Sequence, residues 1–342
     1  MKTGSKNLIT DVMGIKVGNA SDRDLRSGTT VLSGTSQLTA SYQVMGGAPG
    51  TKDTDLLEPD KIVKKIDAVV LSGGSAFGLD ACSGVMEILQ KERKGYKTRS
   101  GSVIPIVPGA IIFDLYADQH EKWDSNPYRA LGSKAYQNIS ENFELGSVGA
   151  GTGALTASFK GGLGSASIVL KNGVTVGALV VTNPVGSVTT PSDKYFWASP
   201  FEINGEFGNL GPDTNKNLIS ENIFNSRKSN IQSFNLETSS TIENTTIAIV
   251  ATDANINKAE CKRVATVAHD GIARAIIPSH THADGDLVFC VSTNLKQLNN
   301  PIMDTLEIGV AASNCLTRAI AKSIYHTQPS DNDLLPCWTN YN

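Results

Sequence analysis

Between Pro212 and Glu243 the chain consists largely of Asn, Ser and other polar residues, and at Asn244-Thr245-Thr246 it turns abruptly into the apolar run Ile247-Ala248-Ile249-Val250. Few side chains in the polar stretch can fill a core, so it reads as an exposed or mobile linker. Such linkers are also where chain cleavage is tolerated. Any core must therefore be built from the segments on either side. The hydroxyl residue at the seam has two readings. Thr245 can open an ordinary strand after a polar loop, or it can become an N-terminal nucleophile if the preceding peptide bond is cut. Spacing alone leaves both open.

The flanking segments read as strand-helix units. Asp67 to Leu71 is a predicted strand, Ser72 to Gly78 a glycine turn, and Leu79 to Lys91 a helix whose Ala81, Cys82, Val85, Met86 and Leu89 share one face. Pro105 and Pro108 limit Gly101 to Leu115 to a short or edge strand and a shaped loop. Ala166 to Leu170 and Val174 to Thr182 are strands joined by Lys171-Asn172-Gly173, a strong hairpin turn because Asn-Gly tolerates positive φ. Beyond the seam, Thr245 to Ala251 is a strand. Asn257 and Glu260 have the spacing of a capping box for a helix packed through Cys261, Val264, Ala265, Ala268 and Ile272. Leu287 to Val291 is a further strand, and Asn300-Pro301 opens a helix to about Tyr325.

Composition sets limits on partners. The 342 residues are 40% hydrophobic and 18% charged, with 32 glycines and a formal net charge of -3, which gives no electrostatic reason to expect nucleic acid. Met1 to Thr10 lacks the apolar core of a secretory signal, and no apolar run reaches the roughly 18 residues of a membrane span. A soluble cytoplasmic protein without membrane contact is the expectation. The five cysteines, Cys82, Cys261, Cys290, Cys315 and Cys337, are widely spaced in apolar surroundings and read as buried thiols.

Several residues could carry chemistry. Ser72-Gly73-Gly74-Ser75-Ala76-Phe77-Gly78 lacks both the Walker lysine and the dinucleotide spacing, so a tight packing turn is favoured over an oxyanion or substrate contact. His280, His282, Asp284 and Asp286 would alternate onto one side of a regular strand, but Gly285 suggests a turn and no zinc spacing is present. A carboxylate pair orienting protons around a nucleophile is more economical than a metal site. Lys160, among glycines, is either a solvated loop lysine or a group that holds developing negative charge. Asn183, at a strand end before Pro184, either makes a turn bond or donates into an oxyanion site.

Taken together, the chain resembles the DmpA-like peptidases, peptidase family S58, which include L-aminopeptidases with D-amidase or D-esterase activity, β-peptidyl aminopeptidases and nylon-oligomer hydrolases. The resemblance runs through Ile9 to Asn19, Gly28 to Val31, Leu71 to Leu79, Ile106 to Leu115, Lys160 to Ala166, Asn244 to Asp253, and Ala268 to Ile276 leading to Asp284-Gly285-Asp286. It implies one α+β domain over residues 1–342, an αββα sandwich of the DmpA and ornithine-acetyltransferase type related to N-terminal-nucleophile hydrolases. It also implies self-cleavage between Asn244 and Thr245 into a 1–244 subunit carrying the polar 212–243 linker and a 245–342 subunit headed by the nucleophile. Assembly as a homo-oligomer, with a tetramer as one form, is implied as well.

By the same resemblance Thr245 attacks the amide, its freed amine relays the proton, and Asp284 and Asp286 orient that amine or recognise the substrate's amino end. Lys160 and Asn183 stabilise the oxyanion and hold the nucleophile, and Tyr116 lines the cleft. His269 is read as structural. The Asp-Gly-Asp sequence and a threonine nucleophile weaken a β-peptidase assignment, since some β-peptide-cleaving relatives carry a serine-plus-glutamate arrangement. The expected activity is aminopeptidase hydrolysis of short peptides or small amides, with no cofactor and no metal. The alternatives are acyl transfer of the ornithine acetyltransferase type and a noncatalytic binding or assembly protein.

Overall fold

A computed structural model describes residues 2–116, 123–215, 218, 226–233, 244–331 and 333–341. Its strands are β1 (Ile15–Asp22), β2 (Ser27–Val44), β3 (Thr51–Lys52), β4 (Lys65–Ser72), β5 (Tyr96–Lys97), β6 (Val103–Ile104), β7 (Gly109–Ile111), β8 (Gly162–Val169), β9 (Thr175–Asn183), β10 (Thr245–Ala254) and β11 (Leu287–Lys296). The helices are α1 (Ser75–Gly78), α2 (Asp80–Lys91), α3 (Tyr128–Gln137), α4 (Arg227–Ser233), α5 (Lys258–Ala275), α6 (Pro301–Tyr325) and α7 (Trp338–Tyr341).

The long strand β2 organises the molecule. Its N-terminal half pairs with β1 on one edge and β4 on the other, and its C-terminal half pairs with β11. The register shifts between Ser33 and Leu38, so a single strand serves two sheet halves. Hydrogen bonding runs β3-β7-β4-β2-β11-β10-β9-β8. Apolar residues of both halves meet in one core that includes Val17, Leu32, Val69, Leu71, Leu179, Val181, Ile247, Ile249 and Phe289. The outer faces are covered by helices: α2 and α3 over Val31, Ala68 and Val70, α5 and α6 over Ala178, Val180, Ala248, Val250 and Val288. The layers are therefore α-β-β-α, the expected α+β sandwich.

Strand periodicity explains how β10 serves two cores. Ile247, Ile249 and Ala251 face the core between the sheet halves, whereas Ala248 and Val250 face α5 and α6, as side chains alternating across a strand must. Such a doubly buried strand reads as a continuous apolar run. That run is what made the boundary at Thr245 visible.

Local signals hold at the helix ends. Asn257 Oδ1 accepts from the amides of Ala259 at 2.9 Å and Glu260 at 3.1 Å, while Glu260 Oε2 accepts from the Asn257 amide at 2.7 Å. Asn300 caps α6 through the Met303 amide, with Pro301 at the first helical position. The Lys171-Asn172-Gly173 turn joins β8 and β9 in antiparallel register, with Gly173 at φ +83°. All five cysteines are free and buried. Gly73 and Gly74 are packing residues, since a Cβ on Gly73 would meet Asp114 Oδ2 at 2.2 Å and one on Gly74 the Tyr128 ring at 2.0 Å.

Three features depart from the sequence reading. Strands β1 and β2 and helix α3 lie in segments to which no element was assigned. β8 begins at Gly162, inside the glycine-dense stretch, because Gly162 and Gly164 let α6 approach closely: added Cβ atoms would strike the Ser323 and Ala319 carbonyls. The polar 212–243 segment was expected to be exposed, yet its described part includes α4, docked with Lys228 only 2% exposed. The remainder of that expectation lies largely outside the described residues.

Candidate active site

Sheet register assembles the site. β9 and β10 are antiparallel with Thr245 opposite Asn183, and β10 and β11 are parallel with Ile247 opposite Leu287. Extending that register backwards sets Asn244 beside Asp284, where an isolated parallel bridge forms. Residues far apart in sequence thus stand on adjacent strands about 4.8 Å apart, at one end of the sheet.

Thr245 is buried, and its hydroxyl donates to the carbonyl of Asn244 in a short contact. The same carbonyl accepts the Gly285 amide at 2.8 Å. The peptide unit at the seam therefore has a hydroxyl against it and a backbone N–H aimed at its oxygen, the arrangement that stabilises charge developing on an acyl oxygen. Glycine at 285 is a steric requirement, because a Cβ there would lie 2.7 Å from Thr245 Oγ1 and 2.6 Å from the Ala48 carbonyl. Neither side-chain polar atom of Asn244 has a hydrogen-bond partner among the described residues, although both are buried. Each such orphan costs roughly 1–3 kcal/mol.

The two aspartates hold the backbone around this peptide. Asp286 Oδ1 accepts the Thr246 amide at 2.7 Å, and Oδ2 accepts the His280 amide at 3.0 Å and faces His280 Nδ1 at 2.8 Å. Asp284 Oδ1 accepts the Val185 amide at 3.0 Å, while Oδ2 accepts the Thr281 amide at 3.0 Å and its hydroxyl at 2.5 Å. Burial, then the nearby Asp286 charge, raise the Asp284 pKa above the ordinary carboxylate value. Burial pulls His280 down, but the Asp286 carboxylate outweighs it and leaves the imidazole above its usual pKa. His269 contacts the Gln43 carbonyl through Nε2 at 2.9 Å and is pushed to about 4 by burial. Its neutral ring stacks edge-on with His280 at 4.8 Å.

Asn183 is fully buried and gathers a network. Its Oδ1 accepts the Leu155 amide at 2.9 Å, the Tyr116 hydroxyl at 3.3 Å and the Lys228 ammonium at 3.1 Å, and its Nδ2 donates to the Phe113 carbonyl at 3.0 Å. Tyr116 and Asn183 therefore meet beside Thr245. Lys160 is turned elsewhere: its ammonium donates to Asp333 Oδ1 at 2.6 Å and to the Gln328 carbonyl at 2.9 Å. The cation at Asn183 is Lys228. A cavity of about 330 Å³ adjoins the network, lined by Arg23, Arg26, Asp114, Tyr116, Leu155 and Lys160 among others. Thr245, Asp284 and Asp286 are not in its wall.

Three contributors escaped the sequence reading of roles. Gly285 was read only as the sign of a turn between two acids. Lys228 stands in a basic dipeptide, Arg227-Lys228, the one local signal in its Asn- and Ser-rich surroundings. Asp114 lies in the cavity wall with its pKa raised to about 7 by burial, its Oδ1 accepting the Gly74 amide at 2.7 Å.

Comparison with known proteins adds independent findings. The model of Peptidase family S58 matches residues 7–332. An uncharacterised aminopeptidase of Mycobacterium tuberculosis is 38% identical over 341 residues, covering 94% of this chain and 95% of the relative. A 6-aminohexanoate-oligomer endohydrolase of a Kocuria species is 27% identical over 299 residues, 85% of this chain and 76% of the relative. In structure, the L-aminopeptidase D-Ala-esterase/amidase of Ochrobactrum anthropi, described as a variant of the Ntn hydrolase fold, superposes with a TM-score of 0.69 at 22% identity, covering 98% of this chain and 91% of that one. A Burkholderia β-aminopeptidase gives 0.65 at 20% identity, over 94% and 87% of the two chains.

Proposed function

The chain belongs to peptidase family S58, a membership that makes it a hydrolase of the peptidase and amide-hydrolase class, and we propose that it is a self-cleaving N-terminal-threonine aminopeptidase acting on short peptides or small amides. The observation carrying this reading is the Asn244-Thr245 peptide itself, with the Thr245 hydroxyl against its carbonyl and the Gly285 amide on its oxygen.

In maturation, Thr245 Oγ attacks the Asn244 carbonyl carbon and the Gly285 N–H receives the oxyanion. The C–N bond then breaks, the Thr245 nitrogen takes up the proton released by the hydroxyl, and an ester remains. Water hydrolyses the ester, leaving an Asn244 carboxylate, the free Thr245 hydroxyl and its free amine. In turnover the same oxygen attacks the substrate amide while the neutral α-amine accepts and relays the proton. An unperturbed α-amine has a pKa near 8, close to working pH. Asp286 fixes the strand by holding the Thr246 amide. Asn183 and Tyr116 lie beside the nucleophile, whereas Lys160, expected to stabilise the oxyanion, is held by Asp333 and Gln328 in the wall of the adjoining cavity. The relative that cleaves 6-aminohexanoate oligomers supports a range reaching beyond α-peptides. Function as a cytoplasmic homo-oligomer, without nucleic acid, membrane or metal, completes the proposal.

Intact mass is the direct test. Purified protein should separate into 1–244 and 245–342 polypeptides, and Thr245→Ala should remain one folded, inactive chain of about the 36.2 kDa precursor mass. A wild-type sample that is active yet uncleaved sinks the reading, as does the same cleavage in the alanine variant.

A further inference from the structure

Asn244 is held by its main chain alone. Its N–H donates to the Ala283 carbonyl at 3.3 Å, and its carbonyl accepts the Gly285 amide at 2.8 Å and the Thr245 hydroxyl. The side chain is also buried, with the residue 2% exposed, yet neither Nδ2 nor Oδ1 has a hydrogen-bond partner among the described residues. Asn183, buried on the neighbouring strand, uses both ends of its amide. A buried amide with both ends unpaired is rare enough in native proteins to need a cause.

Chemistry supplies one. An asparagine Nδ2 that bonds to the carbonyl carbon of its own residue closes a five-membered ring through Cγ, Cβ and Cα. The reacting atoms are already tethered, so approach needs only rotation about two side-chain bonds that no hydrogen bond restrains here. Nucleophiles tethered in a productive geometry act at effective concentrations on the order of 10⁵ M or more. Water has the harder route. Thr245 is 4% exposed, and the adjoining cavity has neither Asn244 nor Thr245 in its wall. The nearby carboxylates are occupied, Asp284 by Val185 and Thr281 and Asp286 by Thr246 and His280. An amide nitrogen is a weak nucleophile, but the acyl shift to Thr245 Oγ turns the target into a more reactive ester and frees an amine to act as base.

We propose that the Asn244 side chain, rather than water, resolves this ester, so that the 1–244 polypeptide is released ending in a cyclic imide. The proposal rests on the self-cleavage reading and changes its second half. Nδ2 bonds to the ester carbonyl carbon while the Gly285 N–H holds the oxygen. The bond from that carbon to Thr245 Oγ then breaks, and one Nδ2 proton passes through the freed Thr245 amine to the departing oxygen. No water is consumed, and Thr245 keeps the hydroxyl and amine that turnover needs. One water later opens the imide at either of its carbonyls. Opening at the main-chain carbonyl gives Asn with an α-carboxylate, and opening at the side-chain carbonyl gives a side-chain carboxylate with an α-amide.

Mass spectrometry of the large polypeptide tests this. Wild-type protein sampled as the 245–342 polypeptide first appears, and quenched in acid, should contain a 1–244 chain lighter than its hydrolysed form by the mass of one water. Matured protein keeps a record as well. Trypsin cuts after Lys228, so the C-terminal peptide spans residues 229–244, and it should elute as two species of equal mass, matching synthetic standards that end in Asn and in aspartic acid α-amide. Only the Asn-ended form, with no water-short chain at any time, overturns the proposal. Equal conversion of the synthetic Asn-ended peptide carried through the same steps overturns it too, because the second isomer then arises without the enzyme. So does a water-short chain in Asn244→Ala, which lacks the amide that closes the ring. Failure of self-cleavage itself reads differently, as a single chain of the precursor mass.

Discussion

Asp286 joins a backbone amide of β10 to an imidazole through its two oxygens, so its charge is used twice. Replacing it with Asn keeps the shape but sets an NH2 group against a donor on one side, leaving a buried pair unmade at roughly 1–3 kcal/mol. Asp286→Asn should slow appearance of the 245–342 polypeptide by about 10- to 100-fold, followed by intact mass over time; cleavage at the wild-type rate would exclude an essential role for the charge. The pH dependence follows from His280. Its folded pKa is raised, so the stabilisation from the protonated pair is complete below the unfolded value of about 6.5 and is lost as pH rises through the folded pKa. The melting-temperature gap between wild type and Asp286→Asn should therefore narrow from pH 5 to pH 8. Asp284, Asp286 and Thr245 were all legible as residues in the sequence. Gly285 and Lys228 were not legible in function, because one acts through a backbone N–H and the other is buried by carbonyls instead of apolar side chains.

At the scale of elements, the site depends on three strand ends and the turn before β11. The Gly285 amide reaches the Asn244 carbonyl only because no Cβ stands between that turn and Thr245. Gly285→Ala should displace the turn and reduce maturation at least about 100-fold, the scale on which loss of one oxyanion donor is felt. Circular dichroism should meanwhile show native secondary structure. Wild-type processing in this variant would remove Gly285 from the mechanism. The element pattern itself was readable where local chemistry speaks strongly: the Asn257 capping box, the Asn300-Pro301 start and the Asn172-Gly173 hairpin all form as expected. β2 was not readable. It changes neighbours midway and carries buried polar residues, Thr29, Thr30 and Ser41, whose hydroxyls bond within the sheet or to nearby carbonyls, so neither simple alternation nor a continuous apolar run marks it.

For the molecule as a whole, stability and activity share one core. Phe289 is fully buried between the sheet halves, on the strand that follows Asp286. Phe289→Ala should lower stability by about 3–5 kcal/mol in a thermal melt and slow maturation too, because the register of β10 and β11 carries the site; cleavage at the normal rate despite such a loss would separate the site from the core. The sequence by itself determined that an apolar strand begins at Thr245, that acids lie shortly before another, and that helices cap where they do, since these are properties of neighbouring residues. Only the tertiary structure decided that Asn183, Thr245 and Gly285 stand in one row, that Lys160 faces Asp333, and that the Lys228 ammonium is held by oxygens of Leu155, Asn183 and Pro184. Those outcomes depend on which strands pair and in what register, a choice made by the two cores together and recorded in no single stretch of chain.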